Sequence, residues 1–232
     1  MHGWGSDSSI WKPWEIYFKK KGWLWQNNDR GYGFNPAKEA KWIHKNNDNS
    51  HSRKVIICHS LGAHLINPTI FKEATDVILL SSFGRFIMED RESRSVKVAL
   101  QGMQKAFGSQ SESKMLFNFL EKAFSPYKFN DYLCNNFHKG LSLTGSKKLK
   151  TDLDLLIKTK RLPNGLYRVS RLLTIFGGED AILQRSSINS LINELNSYLH
   201  NKPTHWTSPN EGHFLLSPKL IKRVELWVEL SK

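Results

Sequence analysis

Only two cysteines, Cys58 and Cys134, occur in the 232 residues, which excludes a disulfide framework and the paired-cysteine spacing of structural zinc sites. Long apolar runs are also missing: the longest, such as Val55 to Cys58 and Val77 to Leu80, fall far short of the ~20 residues a membrane-spanning helix needs. The start, His2-Gly3-Trp4-Gly5, has no basic segment followed by an apolar stretch, so no secretory signal is readable and a cytoplasmic location is expected. No RNA-binding aromatic box, helix-turn-helix or zinc knuckle is present, and no repeat or low-complexity tract interrupts the chain. Acidic residues are scarce, 21 Asp and Glu against 34 Lys and Arg, for a net charge of +13. Most of that imbalance is local: from Arg85 to Arg171 there are 17 basic and 8 acidic residues, a balance of +9. Such a surface attracts polyanions and acidic partners.

What is present suits one α/β domain with an insertion, at a length that can bury a sizeable core. Val55-Ile56-Ile57-Cys58 and Asp76-Val77-Ile78-Leu79-Leu80 read as strands buried on both faces of a parallel sheet. Arg171 to Gly178 and Thr204 to Thr207 read as two more, and Trp23 to Gln26 as another. Helices are expected at Ser9–Lys21, 36–47, 61–73, 187–200 and 218–230 from apolar periodicity. Between residues 86 and 170 the strand signature gives way to three amphipathic helices, at 96–107, 114–124 and 148–160. The expected division is a core of residues 1–84 and 172–232, with a helical insertion at 85–171.

The chemistry starts at Cys58-His59-Ser60-Leu61-Gly62. A strand that runs into a serine flanked by small residues is the sequence form of a nucleophile elbow, in which the positions two before and two after the serine are crowded. Gly62 meets that demand and Cys58 stands in for the other glycine. A serine hydroxyl needs an imidazole to take its proton and a carboxylate to orient that imidazole. Asp180, in Gly177-Gly178-Glu179-Asp180, follows a strand, with Glu179 a rival carboxylate. His213, in Glu211-Gly212-His213-Phe214, lies between the last strand and the last helix. The order serine, acid, histidine is that of α/β-hydrolases. His59 is expected to point away from the nucleophile, and His64 to lie one helical turn on.

His2-Gly3-Trp4-Gly5, the Ser60 elbow, the Asp180 turn and Gly212-His213-Phe214-Leu215-Leu216, with Gln101-Gly102-Met103 and Phe117-Asn118-Phe119-Leu120 in the insertion, together resemble the pimeloyl-[acyl-carrier protein] methyl ester esterases of biotin synthesis, cyanobacterial type. The resemblance spans nearly the whole chain. It implies an α/β-hydrolase whose inserted helices form a lid over the site. Ser60, Asp180 and His213 would be catalytic, and the backbone N–H groups of Trp4 and Leu61 would form the oxyanion hole. Phe119 would line the acyl channel, and neither metal nor cofactor would be required. Acyl carrier protein would be the partner, met by Lys147, Lys148, Lys150, Lys158, Lys160 and Arg161, and the protein is expected to be a monomer. Hydrolysis of another small ester or thioester, or a non-catalytic binding role, remain the alternatives. The chain starts where the third strand of that fold would already have ended. A gap is therefore expected beside strand 55–58, and the natural start is expected a few residues upstream of Met1, in a short apolar segment.

Overall fold

Four short runs pair in parallel, three of them rich in Val, Ile and Leu and the last, Thr204-His205-Trp206-Thr207-Ser208, more polar and half-buried, and their order in the sheet follows their order in the chain. β1 (Val55–His59), β2 (Asp76–Leu80), β3 (Arg171–Gly177) and β4 (Thr204–Ser208) form one sheet in the order β1-β2-β3-β4. The register runs Val55↔Asp76↔Arg171 at one end, and β4 joins at Leu173↔Thr204. This is seen in a computed structural model that describes residues 1–43, 53–128 and 141–230. The helices are α1 (Lys12–Lys20), α2 (Ser93–Ala106), α3 (Glu112–Phe124), α4 (Leu143–Lys158), α5 (Arg185–Tyr198) and α6 (Pro218–Glu229). None in the described residues is long and apolar enough to cross a membrane.

Because successive strand side chains alternate in direction, the apolar runs feed two cores. Ile56, Cys58, Val77, Leu79 and Leu172 face one side, with Leu149, Leu153 and Leu156 of α4 and Leu191 and Leu195 of α5. Ile78, Leu80, Leu173 and Ile175 face the other, against Trp14 and Phe18 of α1 and Ile221, Val224 and Val228 of α6. β2 is buried along its whole length, which is why it carries no alternating polar residue. At its start the buried Asp76 carboxylate accepts from Arg171 at 2.6 Å, and the Arg171 guanidinium lies 4.1 Å from the centre of the Trp227 ring. The sheet is thereby tied to α6 by a group that would be costly to bury alone.

Three expected elements differ. Trp23 to Gln26 forms no strand: Trp23 and Trp25 instead set their rings against Phe18, with centroids 5.9 and 5.6 Å away. Residues 36–43 are not helical: Lys38 exchanges backbone hydrogen bonds with Asp29 (3.1 and 2.8 Å), and its carbonyl, which a helical turn would offer to an amide four residues on, is taken by the Asp29 amide. The rest of that expected helix, 44–47, lies outside the described residues. The helix expected over 61–73 is two 3-10 segments, Ser60–Leu65 and Pro68–Glu73. Proline disfavours helical backbone in the residue before it, and Ile66 and Asn67 have ψ of 140° and 124°. The Asn67 side chain then caps the second segment by accepting from the Thr69 amide.

Candidate active site

β1 delivers Ser60 in a conformation that few residues other than glycine adopt. Its φ is +53°, in the left-handed region, and the turn from strand to 3-10 segment follows at once. Strain of this kind persists only where surroundings enforce it, and here they are tight. A Cβ on Gly62 would sit 2.4 Å from the Met1 carbonyl oxygen, and one on Gly3 would sit 2.8 Å from Cβ of Ser60. The N-terminal loop therefore lies directly on the elbow, and the glycine two residues after the serine is what admits it. Cys58, two residues before, is fully buried; burial pushes its thiol up to about 11, and it stays protonated at neutral pH.

Ser60 Oγ lies 3.0 Å from Nε2 of His213, and His213 Nδ1 lies 2.8 Å from Oδ2 of Asp180. β3 supplies the acid through the turn at its end, and the loop after β4 supplies the histidine. Of the two candidate carboxylates it is Asp180 that meets the imidazole, whereas Glu179 is exposed. Burial alone would raise the Asp180 carboxyl, but His213 and the amides of Leu183 and Ile182, at 3.0 and 2.8 Å, outweigh it and hold the group below its ordinary range. Asp180 therefore remains ionised where it faces the imidazole. All three side chains are shielded: Ser60 is 6% exposed and His213 2%.

Trp4 and Leu61 are both buried beside this line, and their backbone amides make no hydrogen bond among the described residues. Trp4 is pinned from two sides. Its indole N–H donates to the Leu149 carbonyl of α4 at 2.8 Å, and Phe119 of α3 meets its ring edge-on at 4.8 Å. Phe119 also abuts Gly5, whose added Cβ would lie 3.3 Å from the ring. Phe119 thus stands where the inserted helices meet the loop that crosses the serine.

Two groups near the site escaped the sequence reading. The first is the contact that His59 makes with the His213 loop: its Nε2 lies 2.9 Å from the His213 carbonyl oxygen. Its ring meets that of His213 at 4.9 Å and stacks on Phe214 at 5.0 Å. Burial, then the neighbouring His213, pushes His59 down to about 3, so it is neutral, and Nε2–H donates to that carbonyl. The second is a buried cluster linking the N-terminal loop to α4. Arg30 grips Asp152 with two bonds of 2.6 and 2.8 Å, and Tyr32 OH donates to the same carboxylate at 2.7 Å. The Arg30 amide donates to His2 Nε2 at 3.0 Å. The turn that carries Tyr32 into this cluster needs Gly31, whose φ is +75°. His64, by contrast, lies 2.8 Å from the Phe83 carbonyl and is spent on structure.

Of the basic residues expected to meet a partner, Lys147, Lys150, Lys158, Lys160 and Arg161 are exposed on α4 and the segment after it. Lys148 is half-buried, and its ammonium donates to the Arg30 carbonyl at 3.1 Å. That places it in the cluster just described.

Neither a protein-family model nor a curated protein sequence matches the chain. Solved structures do. An esterase (EaEST) from Exiguobacterium antarcticum superposes with a TM-score of 0.67 at 15% identity, over 99% of this chain and 89% of that one. A thermophilic esterase from Thermogutta terrifontis gives 0.59 at 12%, over 99% and 88%. E-2-(Acetamidomethylene)succinate hydrolase gives 0.58 at 16%, over 98% and 89%. At these identities the likeness is one of fold: the chain has the α/β-hydrolase fold.

Proposed function

We propose that the chain is a serine carboxylesterase that hydrolyses the methyl ester of a pimeloyl group carried on acyl carrier protein, releasing methanol. The observation that carries the esterase reading is the continuous hydrogen-bonded line from Ser60 Oγ through His213 to the ionised Asp180. His213 Nε2 takes the hydroxyl proton as Ser60 attacks the ester carbonyl, and Asp180 holds the imidazole in the tautomer with hydrogen on Nδ1. The oxyanion falls to the free amides of Trp4 and Leu61, a contribution of roughly 10²–10³ in rate per donor in such sites. His213 returns the proton to methanol, and water attacking the acyl-enzyme by the same route frees Ser60 and the carboxylic acid.

The substrate rests on the resemblance of the motifs and on the distribution of charge. Phe119, edge-on to Trp4, is the wall against which a linear acyl chain would run. The exposed lysines of α4 and Arg161 offer an acidic carrier protein a surface that steers encounter and sets register. Lys148, engaged with Arg30, is left out of that surface.

Methanol release from methyl pimeloyl carrier protein, compared with its release from free monomethyl pimelate, tests the reading. A kcat/KM for the carrier-bound ester at least tenfold above that for the free ester is expected, together with rescue of a biotin auxotroph lacking its own esterase. Equal rates on both, without rescue, would leave a hydrolase of other small esters. No turnover of either substrate would remove the enzymatic reading.

A further inference from the structure

The backbone amide of Trp4 is half of a peptide unit whose other half is held by a buried side chain. His2 Nδ1 lies 2.8 Å from the Gly3 carbonyl oxygen, and that carbonyl shares its peptide bond with the Trp4 N–H. A peptide unit is planar and trans, with C=O and N–H pointing opposite ways. A bond that fixes the Gly3 carbonyl therefore also fixes the direction of the Trp4 N–H. This unit lies against the nucleophile: a Cβ on Gly3 would fall 2.8 Å from Cβ of Ser60 and 3.0 Å from Nδ1 of His59.

For that bond the His2 ring needs its hydrogen on Nδ1, and its surroundings put it there. Nε2 accepts from the Arg30 amide at 3.0 Å, which leaves Nδ1 as the donor. Asp29 Oδ1 lies 3.7 Å from the same nitrogen, beyond hydrogen-bond reach, and accepts instead from the Gly31 amide at 2.8 Å. The ring is fully buried and meets Tyr32 edge-on, with centroids 5.7 Å apart. Arg30 is in turn set from α4. Asp152 takes its guanidinium in two bonds, Lys148 Nζ donates to its carbonyl at 3.1 Å, and Tyr32 OH holds Asp152 from the other side. The inserted helix thus reaches the peptide beside Ser60 in three links, from Asp152 to Arg30, from Arg30 to His2, and from His2 to Gly3.

We propose that His2 is a positioning residue for the oxyanion hole and that α4 sets it through Asp152 and Arg30. The inference rests on the esterase reading, because the Trp4 amide acts only where an oxyanion forms. His2 touches neither substrate nor Ser60 Oγ and works through one peptide plane. Without its bond the Trp4 N–H is free to turn from the oxyanion, and part of the roughly 10²–10³ that such a donor contributes is lost. That loss falls on kcat, since the charge it meets is present only in the transition state. The proton transfers of His213 and Asp180 are left as they are.

The test uses H2F, which keeps a ring but neither nitrogen, H2N, whose amide can donate to the Gly3 carbonyl in place of Nδ1, D152N, and the double variant H2F/D152N. On p-nitrophenyl acetate H2F should lose roughly tenfold or more in kcat, with KM changed less than twofold and the acid limb of the pH–rate profile unshifted. Binding of an aliphatic trifluoromethyl ketone, whose adduct with Ser60 carries the oxyanion, should weaken by the same factor as kcat/KM. H2N should recover most of the loss, D152N should show a smaller one, and the double variant should be no worse than H2F, because both act along one line. Nitrogen-15 NMR of the histidine rings in the unmodified protein decides independently of whether the variants fold: His2 should carry its hydrogen on Nδ1. A hydrogen on Nε2, an unchanged kcat in H2F, a shifted acid limb, H2N no better than H2F, or losses that multiply in the double variant would overturn the proposal. Unmodified protein that hydrolyses no p-nitrophenyl ester would instead remove the esterase reading, and this inference with it.

Discussion

Replacing His59 with glutamine should flatten the acid side of the stability profile while keeping the bond to the loop that carries His213. In the folded chain His59 is held down to about 3, first by burial and then by His213, against 6.5 when exposed. Between those values the folded site carries no proton and the unfolded chain takes one up, so stability falls as pH falls and is fully present only above 6.5. Each pH unit in that window is about 1.4 kcal/mol, so moving from pH 6.5 to 5.0 costs the native protein about 2 kcal/mol through this ring alone. Glutamine does not titrate, and its amide can donate to the His213 carbonyl in place of Nε2. Urea unfolding of both proteins at pH 7.5 and 5.0 isolates the effect: the loss of stability on acidification should be about 2 kcal/mol smaller in H59Q. Equal losses would refute the assignment of His59 as a ring buried without a proton.

Four further outcomes are expected. D180N should lower kcat by roughly 10³–10⁴ with little change in KM, because an amide does not hold the imidazole in the productive tautomer; steady-state kinetics on a p-nitrophenyl ester would show it. G62A places a methyl group 2.4 Å from the Met1 carbonyl oxygen, and overpacking of that kind should cost about 1–3 kcal/mol in urea unfolding. R30A leaves the buried Asp152 carboxylate without its cation and should cost about 3–5 kcal/mol, with a shift in tryptophan emission as Trp4 loosens from α4. Reversing Lys147, Lys150 and Lys158 together to glutamate should raise KM for the carrier-bound ester severalfold and steepen its dependence on salt. The same change should leave a small p-nitrophenyl ester unaffected, and equal loss on both substrates would count against docking at this face.

The parts of this fold that could be read from sequence were those whose cause is local. Val77 to Leu80 is continuously apolar because both faces of β2 are covered, and Ser60 announces its turn through Gly62. Asp180 and His213 were legible because each follows a strand. What was missed depends on contacts and breaks that hydrophobic periodicity does not weigh. Trp23 to Gln26 has the composition of a strand, yet its rings are drawn onto Phe18. Lys38 has its carbonyl taken by the Asp29 amide, so a helical pattern goes unused, and Pro68 divides what periodicity reads as one helix. The grip of Arg30 and Tyr32 on Asp152 joins residues more than a hundred positions apart, and single-sequence periodicity carries no signal for it. His59 was legible as a neighbour of the nucleophile but not as a support for His213, since that contact exists only once β1 and the loop after β4 converge.

The central claim is that Ser60 is the acyl-accepting nucleophile, activated by His213. Treating the protein with a fluorophosphonate and mapping the adduct by peptide mass spectrometry tests it most directly. The account predicts one stoichiometric adduct on Ser60, formed at least a hundredfold more slowly in H213A and absent in S60A. An unlabelled protein, or a label on another residue with Ser60 untouched, would contradict it.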